Sequence, residues 1–174
     1  MSTRTEHTHQ VTQIEVVMEA SYTNFIHAFE SLLGRMPVEA LSALHSLSAD
    51  AAREHLASYV GPLDFTLFQK LDHGAIVTAL VGRPCKATTY VFGNALIAVE
   101  MTRQVARAGL YVPLRLFVEE IDEDRVRVTY DLPSSLMAEC GSPEVNDVAC
   151  GLDEKVTRIL DETSKVADQQ GRRG

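Results

Sequence analysis

The run LYVPLRLFVEEIDEDRVRVTYDLP, residues 110–133, constrains the fold more than any other part of the chain. Leu114, Leu116 and Val118 alternate with Arg115, Phe117 and Glu119, and after Asp122–Asp124 the residues Val126, Val128 and Tyr130 alternate with Arg127 and Thr129. A period of two puts each apolar set on one face of a strand, and the short acidic break between them makes the pair a β-hairpin. Such a hairpin must bury its apolar face under a second layer.

Helical stripes suited to that layer occur on both sides of the hairpin. In SYTNFIHAFESLLGRM, Phe25, Ile26, Phe29, Leu32 and Leu33 recur at helical spacing, Ser21 or Thr23 offers a cap, and Gly34 offers a stop, which predicts a helix over Tyr22 to Leu33. NALIAVEMTRQVARAG reads as a helix capped by Asn94, with Gly109 past its end. Pro143 opens a long helix, 143–167, with the stripe Val145, Val148, Leu152, Val156, Ile159 and Leu160. Residues 36–61 read as two short helices joined at Ser46–Ser48, opened by Pro37 and closed by Gly61-Pro62. Further strands are expected at Gln13–Glu19, in LDFTLFQKL and in KATTYVFG, whereas AIVTALVG fits either period and stays open. The order of elements predicts an α+β two-layer sandwich with helices packed on one face of a sheet.

Composition bounds what such a domain does. With 174 residues, 45% of them hydrophobic and 23% charged, the chain closes one core, here 11–167 between a polar leader, 1–10, and a polar tail, 168–174. A formal charge of -8 argues against nucleic acid and anionic membranes as partners, since both are bound through Lys and Arg. No apolar run nears the ~20 residues of a membrane span, and the leader has no apolar signal core, so the expected location is cytoplasmic. Cys85, Cys140 and Cys150 have no C-x-x-C spacing and read as reduced thiols; the six histidines are scattered, and no metal is expected. Glycine-rich phosphate loops, G-x-G-x-x-G, G-x-S-x-G and H-E-x-x-H are all missing, and no cofactor is expected.

The succession LDFTLFQKLDHG, YVFGNALIAVEMTR, LYVPLRLFVEE and VTYDLPSSL resembles the bacterial and archaeal family catalogued as domain of unknown function 302. That family carries an acid after a strand, a Y-x-x-G-N-P element opening a helix and an L-x-P element opening the next strand. The resemblance covers roughly Val11 to Pro133, with 36–61 as a helical insertion and the helix from Pro143 extending beyond the short form. It implies a curved antiparallel sheet with helices against it, often as a homodimer, and it implies no activity. Ala95 stands where the family pattern has Pro, and Gln104 where closer relatives would carry His.

Candidate site residues gather in LDHGAIVTALVGRPCKATTYVFGN, residues 71–94. His73 is read either as a general acid or base at a pocket mouth or as a packing residue beside Asp72, itself a ligand-side acid or a helix cap. Cys85, beside Lys86, is read as an incidental thiol rather than a nucleophile. Arg115 is either part of a cross-strand ion network with Glu119 and Arg127 or an anchor for a carboxylate. Tyr90 and Tyr111 offer hydroxyls, Arg103 offers a charge near a helix end, and Phe65, Leu67 and Phe92 offer an apolar lining. Gly93, Asn94 and Ala95 open a helix whose amides suit an anion or carbonyl oxygen.

Two functions follow. One is a cofactor-independent isomerase, cyclase or lyase acting on a small apolar or polyketide-like molecule, with His73 or a tyrosine such as Tyr90 moving a proton and an arginine such as Arg115 holding an oxyanion. The other is a non-enzymatic homodimeric module that holds a small apolar or carboxylate-bearing ligand or a protein partner. Convergence of His73, Tyr90 and Arg115 on one closed pocket favours the enzyme, and a filled core with those residues pointing to solvent favours the module.

Overall fold

A computed structural model describes residues 1–37 and 39–172 of the chain. β1 (Gln13–Glu19) leads through α1 (Tyr22–Ser31) to the two-residue β2 (Gly34–Arg35). The short helices α2 (Glu39–Ala43) and α3 (Ala49–Ala57) follow, then β3 (Thr66–Asp72), α4 (His73–Val81) and β4 (Ala87–Gly93). After α5 (Ala95–Thr102) come the hairpin strands β5 (Leu114–Asp122) and β6 (Arg125–Asp131), the short α6 (Pro133–Met137) and the long α7 (Pro143–Gly171). The expected hairpin, helical segment 36–61 and α+β class are all present; Val38 of that segment lies outside the described residues.

The six strands lie in the order β1-β6-β5-β4-β3-β2. All neighbours are antiparallel except β2 and β3, so the sheet is mixed rather than wholly antiparallel. Gly34 causes the difference. The expected helix to Leu33 stops at Ser31, and Gly34 instead lies so close to the end of the 36–61 segment that an added Cβ would sit 1.9 Å from the Tyr59 carbonyl oxygen. The Phe65 carbonyl accepts from both the Gly34 and Gly61 amides, at 2.9 Å each, which pins the two ends of the helical segment together beside β3. Only glycine tolerates such backbone contact.

Strand alternation then sorts the sheet into two unlike faces. Val126, Val128, Leu116, Val118, Tyr90 and Phe92 are buried with Phe25 and Phe29 of α1 and with Val145, Leu152, Val156 and Ile159 of α7 in one core. Phe29 sets its ring edge-on to Tyr90 and Phe92, at 5.1 and 5.6 Å between centroids. Burial of these side chains, each contributing roughly 1.5–3 kcal/mol, holds the helices to the sheet. The opposite face carries Val17, Leu71, Arg115, Arg127 and Glu119, the last two joined at 3.1 Å; that is the Glu119–Arg127 part of the expected cross-strand network, and Arg115 joins no ion pair among the described residues.

Three segments depart from expectation. The ambiguous stretch 74–81 is helix, because Asp72 caps it through a 2.8 Å bond from the Ala75 amide and Gly82 closes it in the left-handed region. The helix expected between its cap Asn94 and Gly109 stops at Thr102; Val105 turns extended and packs on the core, and residues 106–110 form a 3-10 turn that buries Ala108. α7 runs to Gly171, through the segment expected as tail, with Ala167 buried; residues 173–174 of that tail lie outside the described residues. Among the described residues no helix is long and apolar enough to cross a membrane.

Candidate functional site

A pocket of about 380 Å³ opens where β4 ends and α5 begins, within the ~300–1,000 Å³ range of small-molecule sites. Gly93 and Asn94 form its floor, and Ala95, Ala98 and Met101 of α5 form one wall. Pro113, in a cis bond after Val112, and Leu114 face them from the start of β5. Phe68 reaches the pocket from the bulge between Leu67 and Gln69 of β3, Leu152 from α7, and Leu41 from α2 at the mouth. The lining is almost wholly carbon.

Asn94 has a polar side chain, and the fold engages both ends of its amide. Its Oδ1 accepts from the Leu96 and Ile97 amides, at 2.9 and 3.4 Å, and its Nδ2 donates to the Asp64 carbonyl at 3.0 Å. Asp64 is in the left-handed region at φ 68°, and its carboxylate accepts from Lys155 on α7. An Asp64–Lys155 ion pair therefore stands beside the apolar floor.

The sheet separates the three residues expected to act together. Tyr90 is wholly buried on the helix side, and its hydroxyl donates to Glu30 at 2.9 Å. His73 lies on the opposite face, exposed, with Nε2 3.0 Å from Thr89 Oγ1 and its ring 6.2 Å from Phe117. Arg115 shares that face, and the two line a shallow open groove with Phe117, Thr129 and Asp131. In the β4–β5 ladder Tyr90 pairs with Leu116 and Val91 with Arg115, so strand alternation forbids the convergence of Tyr90 with Arg115.

The other expected ligand contacts also scatter. Gly93 and Asn94 belong to the pocket, but Phe65 and Phe92 meet edge-on at 5.1 Å inside the filled core, and Leu67 packs against that core. Asp72 caps α4, Arg103 pairs with Glu100 at 2.6 Å, and the Tyr111 hydroxyl donates to Glu139. That last bond, with burial and the Glu139 charge adding to it, pushes Tyr111 up to about 12. The pocket residues absent from the sequence reading, Leu41, Phe68, Ala98, Met101 and Leu152, are ordinary apolar positions in four different elements. No local pattern marks them.

A second polar centre lies behind Tyr90. Glu30 accepts from Tyr90, from Lys70 at 2.7 Å and from Arg35 at 2.9 Å. Burial raises its carboxyl, but the bonds from Lys70 and Tyr90 and the charges of Lys70 and Arg35 outweigh burial and hold it below the ordinary glutamate value. Burial, then the Glu30 charge and hydrogen bond, push Tyr90 far above its usual range. In this setting the hydroxyl proton of Tyr90 stays on its oxygen, shared with the Glu30 carboxylate. Among the described residues no three His, Cys, Asp or Glu side chains gather as a metal site.

Comparison with known proteins agrees with this picture of a defined fold. The crystal structure of an uncharacterized conserved protein DUF302 from Bacillus stearothermophilus superposes with a TM-score of 0.61 at 12% identity, covering 87% of this chain and 97% of that one. At that identity the likeness concerns the fold alone. No curated protein matches the chain. The family described as Domain of unknown function DUF302 matches residues 42–163, a region that takes in the 143–163 part of α7 and every wall of the pocket but Leu41. The chain belongs to the DUF302 family.

Proposed function

We propose that this protein is a non-enzymatic module that holds a small apolar molecule in the pocket beside Asn94. The observation that carries this reading is the carbon lining of a roughly 380 Å³ pocket, with the Asn94 amide already engaged at both ends, by the Leu96 and Ile97 amides and by the Asp64 carbonyl. Such a lining binds by removing apolar surface from water, without a positioned acid, base or oxyanion donor. The division of His73 and Arg115 from Tyr90 by the sheet favours binding over the isomerase, cyclase or lyase reading. Titration with the neutral fluorescent probe N-phenyl-1-naphthylamine tests the site. Saturable one-to-one binding is expected in the wild type, and Ala98→Phe, which fills the pocket, should abolish it while circular dichroism stays unchanged. Undiminished binding by a folded Ala98→Phe protein overturns the proposal.

The module is also proposed to be a homodimer that meets through α4. Leu80 and Val81 are 81% and 70% exposed, and Ile76 lies one turn before Leu80 on the same helix. No Asp, Glu, Lys or Arg interrupts His73–Val81, so two copies of a chain of charge -8 can approach there without like charges opposed.

A further inference from the structure

We infer that the open face of the sheet carries a second binding site, one for a small aromatic carboxylate, in the groove that holds His73 and Arg115. This groove, of about 380 Å³, shares no lining residue with the pocket beside Asn94, so the inference stands apart from the reading of that pocket. Phe117 of β5 lines the groove, and the strand register sets Thr89 of β4 on one side of it and Thr129 of β6 on the other. Two hydroxyls therefore flank one ring. From the start of α4, His73 brings a second ring to 6.2 Å from the first, tilted by 57°, and its Nε2 lies 3.0 Å from Thr89 Oγ1. The two rings form an aromatic corner on an otherwise polar face.

Arg115 supplies the charge. It lies two residues before Phe117 on the same strand face, about 6.6 Å along the strand. Among the described residues its guanidinium makes no ion pair and no hydrogen bond, whereas Arg127 of the same face binds Glu119 at 3.1 Å. The other charged group of the groove is Asp131, whose carboxylate accepts from Gln13 Nε2 at 3.5 Å and is not joined to Arg115. An unengaged guanidinium offers a planar fork of donors that matches a carboxylate with two parallel bonds. One small molecule can reach both features, with its ring against Phe117 and His73 and its carboxylate on Arg115. A neutral analogue loses the fork, and a saturated ring of equal size loses the edge-and-face contact that aromatic pairs make.

Titration of the full chain with phenylacetate, 2-phenylethanol and cyclohexylacetate, followed by the backbone amide signals in NMR, reads both parts of the inference. Phenylacetate should shift the Thr89, Phe117 and Thr129 amides saturably, with 2-phenylethanol about tenfold weaker and cyclohexylacetate about threefold weaker. Arg115→Gln should weaken phenylacetate about tenfold and leave 2-phenylethanol unchanged, with the remaining amide signals reporting that the fold is kept. Asp131→Asn removes a like charge and should tighten phenylacetate about twofold. Equal affinity for phenylacetate and 2-phenylethanol, or full affinity in a folded Arg115→Gln protein, overturns the carboxylate site. Cyclohexylacetate bound as tightly as phenylacetate overturns its aromatic character. Shifts confined to Gly93, Asn94 and Ala98 would place the molecule in the apolar pocket and overturn the second site, as would an absence of shifts.

Discussion

The Tyr90 hydroxyl of β4 donates to the Glu30 carboxylate of α1 across the interface between sheet and helix, at 2.9 Å. The same ring meets Phe29 at 5.1 Å and carries the Lys70 ammonium 5.7 Å over its face. Lys70 and Arg35 also bind Glu30, so a charge at the edge of the core is neutralised from three directions. Tyr90→Phe keeps the ring and deletes one charge-assisted bond. It should cost about 1.5–3 kcal/mol in urea unfolding, and a loss below roughly 0.5 kcal/mol would show the bond to be incidental.

Acid should undo this contact. The folded protein holds Glu30 below its ordinary value, so the unfolded chain binds the proton more tightly. The stabilisation is present at neutral pH and is lost as pH falls below the ordinary glutamate value and through the folded one. The stability difference between wild type and Glu30→Gln should therefore shrink between about pH 6 and about pH 3 in thermal melts. A constant difference would assign the effect of the variant to packing.

Two glycines should respond very differently to alanine. At Gly34 a Cβ would stand 1.9 Å from the Tyr59 carbonyl oxygen and 2.6 Å from the Gly61 amide nitrogen, backbone atoms that cannot yield alone. Gly34→Ala should lose about 3 kcal/mol or more, or shift the 36–61 segment. Gly82, at φ 72° with open space around its Cβ position, should lose only about 1 kcal/mol. Equal melting temperatures for the two variants would contradict the close approach.

Leu80→Glu and Ile76→Glu place a charge on the exposed side of α4, away from the core. Light scattering coupled to gel filtration should report a dimer for the wild type and a monomer for both variants, with unfolding midpoints of the isolated monomers little changed. A wild type that is monomeric at tens of micromolar would remove the dimer proposal.

His73→Ala and Arg115→Ala alter the outer groove and leave the pocket intact. Probe affinity should stay within about twofold of wild type, and stability within about 1 kcal/mol. A large loss of affinity in either would reconnect the outer face to the ligand site.

The hairpin Leu114–Asp131, the stripe of α7 and the caps Ser21, Asp72 and Asn94 were legible in the sequence. Each is a local matter: side-chain period and the capping of nearby amides are properties of a few consecutive residues. The same locality misplaced the ends of helices. α1 yields at Ser31 because Gly34 is needed against Tyr59, and α5 yields at Thr102 because the turn after it buries Ala108.

The sequence by itself determined an α+β domain with an amphipathic hairpin, and it singled out the helix start at Gly93, Asn94 and Ala95, which line the cavity although the Asn94 side chain caps the Leu96 and Ile97 amides that follow. Only the tertiary structure decided which side chains meet. Tyr90 and Arg115 both looked available for chemistry, yet strand pairing in this register sends one into the helix layer and the other to the open face. Leu41, Phe68 and Ala98 carry no mark in the sequence and Leu152 is one of a helical stripe, yet packing of α2, α5 and α7 around the bulge in β3 leaves them facing one cavity. A cavity is the space several elements fail to fill together, and that depends on how distant segments pack rather than on the pattern within any one of them.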